Sequence, residues 1–431
     1  MEENDNKEKK GKPRERKINW QEYTASIGDI QQFLDDRILL RYNVITGRVE
    51  YRIPSSYYDE GTREWQNVND RIVNTLWSEI SRVKKCNPQD IYRIIESDYT
   101  PDYHPFRRYL EQLPPWNGDD YILGMSVSVS VRGEVEEQML FAQYLKKWIV
   151  GMVAAWVDPT VVNNVILVLI GEQGSYKTTW FNYLLPPQLR QYFFTKTNAN
   201  RMGRDDLLTL TQYGLVCCEE LDTMRPAELN QLKAAVTMPT IDERAAYAHY
   251  HEHREHIASF CGTGNNMQFL CDPTGNRRWL PFEVKSIDSP RDHPFDYDGI
   301  YAQAYALYRQ GFPYWFSRQE IIQLAEHNRQ FEAPRLEYEL VMLYFRKPQQ
   351  GEPAEFMPVS LALQLVGAGI SQKLSKEMVG HAFVDQGFER KIYRNMRGYI
   401  VVRRSADEMR SLRARLALED GNTLTLDTPV F

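Results

Sequence analysis

Cysteine is scarce in this chain. Five are scattered over 431 residues, at Cys86, Cys217, Cys218, Cys261 and Cys271, with no C-x-x-C pair. So sparse and odd a set makes no disulfide framework and fits a reducing cytosol, so a cytoplasmic protein is expected. Long apolar runs are missing too. The longest, Trp148 to Val157, is about half the ~20 residues a bilayer crossing needs. It is expected to be the buried end of a helix, and no membrane contact is expected. The opening "MEENDNKEKKGKPRERKINW" has no apolar stretch of the signal-peptide kind. Nor is there an excess of positive charge. A net charge of -6 excludes a protein that coats nucleic acid with its whole surface, and leaves that role to local basic patches.

What is present is ordinary globular material, 42% apolar and 26% charged, at a length that suits two or three domains. Residues 1–17 read as a disordered tail. Residues 18–105 read as a small α+β module. It would hold a hairpin turning at Thr46-Gly47, a helix with Ile72, Val73, Leu76, Ile80 and Val83 on one face, and a second helix capped by Asn87 with Pro88 in its first turn. Residues 106–290 form the core. A long helix is predicted over Val135 to Val157. Apolar runs without alternation follow at Val165 to Ile170, at Leu215 to Cys218 and in "HIASFCGTGNN", as strands of a buried parallel sheet require. Strands separated by helical stretches imply an α/β fold with functional residues at the strand ends. Beyond the core come a helical segment (291–345), a polar linker with Pro and Gly (346–355), a helix–helix–hairpin pattern suiting a winged-helix-like domain (356–418), and a loose tail (419–431).

One more absence is a single glycine. "LVLIGEQGSYKTTW" follows the phosphate-loop pattern G-x-x-x-x-G-K-[ST] at Gly171, Lys177 and Thr178, but Tyr176 stands where the second glycine belongs. Such a loop needs a delivering strand, inward-pointing N–H groups and a helix N-terminus facing the anion. The strand to Ile170, Gly171 and Gly174, and a helix opening at Lys177 supply these. Lys177 would neutralise phosphates and Thr178 would hold Mg²⁺. A tyrosine forced to positive φ costs about 1–2 kcal/mol, which weakens the motif without vetoing it. Glu219 and Glu220 follow the second strand, where one acid could hold the metal's waters and another position the attacking water. Adjacent residues of an extended strand point to opposite faces, so one acid is expected to face the site and the other away. Asp222 is a weaker candidate. The third strand ends in Thr263-Gly264-Asn265, whose amide could orient that water, and "DPTGNRRW" offers Arg277 and Arg278 as a finger for the transferring phosphoryl. Taken singly, each also reads as an ordinary turn or as surface charge.

In this order the motifs make the chain resemble the virulence-associated protein E family, P-loop ATPases of phages and mobile elements related to superfamily-3 helicases within the AAA+ class. The resemblance rests on "SDYTPDYHPFRRYLEQLPPWNGDDYI", "LVLIGEQGSYKTTW", "GLVCCEELD", "DERAAYAHY" and "FCGTGNNMQFLCDPTGNRRWLPFEV", over about residues 95 to 285. It implies an α/β, AAA+-type P-loop core with ATP and Mg²⁺ as cofactors. Nucleotide contacts would come from Gly171, Gly174, Ser175, Tyr176, Lys177, Thr178 and Thr179, with Arg244 as a further site arginine. Glu219 and Glu220 would be the Walker B acids, Thr178 and Glu219 serving the magnesium (the acid through water). Asn265 would be the sensor, and Arg277 or Arg278 the finger. The implied activity is an ATP-hydrolysing, helicase-like DNA motor for replication of a phage or mobile element. Its partners would be single-stranded DNA in the channel of a homo-oligomeric ring, such as a hexamer, and a separate primase or replication protein. Tyr176 keeps open a nucleotide-gated DNA-binding or regulatory module with slow or absent hydrolysis. A small-molecule phosphotransferase is a third class.

Two further features stand out. "AHYHEHREH" holds His249, His251, His253 and His256, which read as metal ligands or as plain solvated charge, while the family resemblance implies a channel-facing hairpin whose Tyr250, His251, His253 and Arg254 touch nucleic acid. Near the end, Arg390, Lys391, Arg394, Arg397, Arg403, Arg404, Arg410, Arg413 and Arg415 face only Glu389, Asp407 and Glu408. That is a local positive patch with Tyr393 and Tyr399 interleaved, suited to a phosphate backbone or to solvation alone.

Overall fold

The structure, a computed structural model, describes residues 23–54, 64–196, 204–243, 252–270, 276–333, 336–368, 370, 374–394 and 396–419. The expected tails at 1–17 and from 420 onward lie outside the described residues. The described chain forms two compact units. The first takes the residues up to Asn265 together with Arg278–Ile321; the second takes Asn266–Arg277 and the residues from Ile322 onward.

The first unit opens with β1 (Leu39–Asn43), β2 (Arg48–Arg52), β3 (Gln66–Asn67) and β4 (Asp102–Tyr103), in the order β3-β2-β1-β4. The expected hairpin is β1–β2, paired antiparallel from Leu39↔Arg52 to Asn43↔Arg48, with Gly47 at φ +66° closing its turn. Three helices cover this sheet: Ile27–Arg37 with a Ser26/Asp29 capping box, Asp70–Ile80, and Pro88–Ile95 with Asn87 as cap. Ile30, Leu34, Val73, Leu76, Ile80 and Ile91 meet in the core. Val83 does not join the predicted face. The helix ends at Ile80, the following turn swings Val83 outward, and it is 82% exposed.

The main sheet holds β5 (Val129–Val131), β6 (Ile166–Ile170), β7 (Phe193–Lys196), β8 (Leu215–Cys218), β11 (Ser259–Gly264) and β12 (Trp279–Ile287), in the order β5-β12-β6-β11-β8-β7. All neighbours are parallel except β5 on β12. The fold is thus mixed α/β with a largely parallel central sheet. Between β8 and β11, the strands β9 (Thr240–Glu243) and β10 (Glu252–Glu255) pair antiparallel as a separate ribbon. Every residue of β6, β8 and β11 is buried, which explains runs without alternation. The predicted helix Val135–Val157 is present over that span. Its Trp148 and Trp156 donate Nε1–H to the carbonyls of Phe260 and Gly214, fixing the helix on the sheet. β12, which contains Pro281, was not among the strands expected from sequence. The proline is tolerated because β5 pairs only from Val284 onward, so no neighbouring strand needs its missing N–H. Asn43 ties the small sheet to the large one: its buried amide donates to Glu50 and to the Tyr192 hydroxyl, both at 2.7 Å.

The second unit contains helices Leu336–Tyr344, Val359–Val366 and Lys376–Asp385, and strands β13 (Phe345–Arg346), β14 (Glu355–Pro358), β15 (Arg390–Tyr393) and β16 (Met396–Arg403). β16 pairs antiparallel with the other three, and Val341, Met357, Val379, Phe383 and Val401 form the core. The stretch 346–355, read from sequence as a linker, lies inside this unit. Arg346 forks onto Glu352 and reaches Glu408, so polar residues that look solvated are pinned to each other. Asn266–Arg277 joins the unit through Phe269 N–H to Phe331 O, and through Asn328, whose amide donates to Asn276 O. Among the described residues, no helix is long and apolar enough to cross a membrane.

Candidate active site

β6 ends at Ile170 between β11 and β12, and the chain turns through a short loop into the helix Lys177–Leu184. Gly171 packs tightly on β12: a Cβ there would stand 3.0 Å from the Val284 carbonyl, closer than an ordinary contact. Gly174 has φ +85°. Tyr176 occupies the left-handed region at φ 63°, ψ 11°, as the missing glycine predicts, and its ring is 46% exposed. The backbone thus takes the glycine conformation, and the side chain is accommodated by pointing outward.

Lys177 is buried although it opens the helix. Its Nζ donates to the carbonyls of Gly171 and Glu172, both at 2.7 Å, and lies 3.3 Å from Ser175 Oγ and 3.5 Å from Asn265 Oδ1. Burial holds its pKa below the usual lysine range, and the charge of Asp222 works the other way. An ammonium has three N–H groups. Two are committed to carbonyls, and the third faces the longer contacts, which an anionic oxygen could displace.

The acids depart from the sequence reading. β8 stops at Cys218, and Glu220 turns left-handed at φ 54°, ψ 45° into a short 3₁₀ turn. The chain is no longer extended there, so the two side chains do not alternate: Glu219 and Glu220 both line one cleft. Glu219 accepts a hydrogen bond from Thr178 Oγ1 at 2.8 Å. Asp222 lies close behind, with Oδ1 3.2 Å from where a Cβ on Gly264 would stand, but it does not line the cleft. The cleft has a volume of 390 Å³ and is walled by the loop from Gln173 to Thr179, the two acids, and Thr263, Gly264 and Asn265. Three segments distant in sequence therefore meet at the ends of three adjacent parallel strands. Their donor set is hydroxyl and carboxylate oxygen beside one ammonium, which fits a hard cation with phosphate rather than a thiophilic metal.

Other candidates lie elsewhere. Arg277 and Arg278 do not line this cleft; they sit in the 3₁₀ turn Asn276–Arg278, Arg277 exposed and Arg278 half-buried. Arg244, His249, Tyr250, His251 and Cys271 lie outside the described residues. His253 falls on β10. His256 is a core residue: it is 2% exposed, its Nδ1 is 2.6 Å from Met238 O, its ring meets Phe260 edge-on, and burial lowers its pKa. No group of three or more His, Cys, Asp or Glu side chains among the described residues could hold a metal. Asp222, the weaker candidate of the sequence reading, is absent from the cleft wall. Its nearness to Gly264 is a tertiary fact.

A family model described as the virulence-associated protein E-like domain matches residues 110–333. No curated protein matches. Among solved structures, the chain is similar to one described as the apo structure of the NrS-1 C terminal region (305-718), with 11% identity and TM-score 0.45, over 86% of this chain and 98% of that one. An A form apo structure of the same region gives 11% identity and TM-score 0.43 over the same shares.

Proposed function

The chain belongs to the virulence-associated protein E-like family, and from that premise we propose that it is an ATP-hydrolysing motor on DNA serving the replication of a phage or mobile element. The observation that carries this reading is the single cleft in which the loop, both acids and Asn265 meet. Lys177, held by the Gly171 and Glu172 carbonyls, presents its remaining N–H to the β/γ-phosphate oxygens. Thr178 and Glu219 stand together on the metal side, the acid acting through water. Magnesium, when bound there, would neutralise phosphate charge and orient its oxygens. Glu220 accepts the proton of the attacking water and Asn265 orients that water. The water oxygen bonds to the γ-phosphorus as the bond to the ADP oxygen breaks. Arg277 or Arg278 acts as a finger in a neighbouring copy's cleft, which calls for a ring.

Steady-state ATP hydrolysis with Mg²⁺, with and without single-stranded DNA, tests this reading. Hydrolysis that DNA accelerates, and that Lys177→Ala and Glu220→Gln each abolish, supports it. Full turnover in Lys177→Ala sinks the site assignment. One observation favours a second reading, a nucleotide-gated switch: Tyr176 sits half-exposed on the cleft wall in a strained conformation. A silent wild type that Tyr176→Gly awakens would select the switch.

A further inference from the structure

The positive charge of the second unit is unevenly compensated. Arginines at the base of its sheet are paired: Arg346 with Glu352 and Glu408, and Arg403 with Glu355. On the β15–β16 hairpin, Arg390, Lys391, Arg394 and Arg397 have no carboxylate partner among the described residues. Four exposed cations on one hairpin raise the local positive potential, which draws an anionic partner.

Register divides the hairpin into two faces. Arg390 lies opposite Tyr399 and Ile392 opposite Arg397, while Lys391 lies opposite Gly398 and Tyr393 opposite Met396. Tyr399 stacks on Phe383 at 4.7 Å, so its face looks inward, toward the helix Lys376–Asp385. Between that helix and the hairpin is a cleft of about 810 Å³ that draws Lys376, His381, Arg390 and Arg397 together, with Met396 at its edge and Glu377 as the only carboxylate among the described lining residues. The other face presents Tyr393 beside Lys391 and Gly398. Tyr393 and Met396 are 51% and 48% exposed, and the Phe356 ring lies 5.7 Å from that of Tyr393. Gly398 makes room for this, since a Cβ there would stand 2.8 Å from the Phe356 ring. The Arg394 guanidinium lies 5.3 Å from the Tyr393 ring centre.

Cations in a cleft, backed by an exposed aromatic surface on the same hairpin, match a chain that alternates phosphates with flat bases. We propose that the hairpin and the cleft behind it bind an unpaired nucleic-acid strand. The cleft cations hold its phosphates, and Tyr393 stacks on a base that no partner strand covers. This site is separate from the 390 Å³ cleft of the first unit and works without nucleotide, so it stands whether or not the motor reading does.

The test is fluorescence anisotropy of the full chain with a labelled oligo-dT of about 20 nucleotides and, separately, a blunt duplex of the same length, without ATP. The wild type is expected to bind oligo-dT at least about tenfold more tightly than the duplex, because stacking needs an open base. Arg390→Ala/Arg397→Ala should weaken oligo-dT binding about tenfold and flatten the log–log salt slope by about 1.4. Tyr393→Ala should weaken binding about tenfold and Tyr393→Phe should restore it. Lys177→Ala should bind as the wild type does, whatever it does to hydrolysis. All three hairpin side chains lie at or near the surface, so an unchanged melting curve certifies the fold of each variant. No oligo-dT binding, equal affinity for the duplex, or a well-folded arginine pair or Tyr393→Ala variant within twofold of wild type would each overturn the proposal.

Discussion

Thr178 donates its hydroxyl hydrogen to Glu219 over 2.8 Å, joining the first turn of the helix after the loop to the end of β8. The two residues are 41 positions apart and belong to different strand–helix units, yet they form one pair of oxygen donors.

If that pair serves magnesium, its members act as a unit. Thr178→Ala and Glu219→Gln should each lower Mg²⁺-dependent hydrolysis at least about a hundredfold, and the double variant should fall little further. Titrating Mg²⁺ should show a raised requirement in both single variants. Strict additivity in the double variant would separate their roles.

Tyr176 holds a left-handed conformation that glycine adopts without strain. Tyr176→Gly should therefore raise unfolding free energy by about 1 kcal/mol, and Tyr176→Ala should not. Urea denaturation of the three proteins measures this directly.

Asn43 satisfies Glu50 and Tyr192 with its amide and accepts from the backbone of Ile45 and Thr46. Asn43→Ala strands those buried groups and should cost about 2–4 kcal/mol. Tyr192→Phe removes one hydrogen bond and should cost about 1 kcal/mol. Matching losses for the two variants would contradict the network.

Glu352 has its pKa brought down to about 2, chiefly by the Arg346 side chain and then by the Gln349 N–H. A carboxylate lowered on folding contributes stability above its ordinary pKa and loses it as pH falls toward the folded value. The advantage of wild type over Glu352→Gln should thus be full at neutral pH and shrink between about pH 5 and pH 2. Acid titrations of the melting temperature would show it, and parallel curves would refute it.

Much of this was legible in sequence where local pattern decides structure. The Val135–Val157 helix, the turn at Thr46-Gly47 and the unalternating runs of β6 and β8 are local signals, and each fell where expected. The strand, turn and helix around Gly171 to Lys177 also fell where the spacing put them, with Tyr176 in a glycine-like conformation. What escaped was set by distant partners. β12 was not expected, and its Pro281 is tolerated only because β5 begins pairing at Val284. The left-handed turn at Glu220 redirected an acid pair that extended geometry would have split. The 346–355 segment looked like a tether because Glu408, one of its anchors, is some sixty residues away.

The boundary between the two units has a consequence for how this gene can be cut. The chain crosses between them at 265–266, again at 277–278, and finally at 321–322. A protein ending at Ile321 would keep the residues around Asn276 but lose Asn328 and Phe331, to which that excursion is hydrogen-bonded. Truncation there is not the removal of a module: it strips the partners from a loop that begins one residue after Asn265. An inserted protease site or fusion joint between 322 and 333 carries the same liability. Clean dissection of the two proposed activities requires point substitutions in the intact chain.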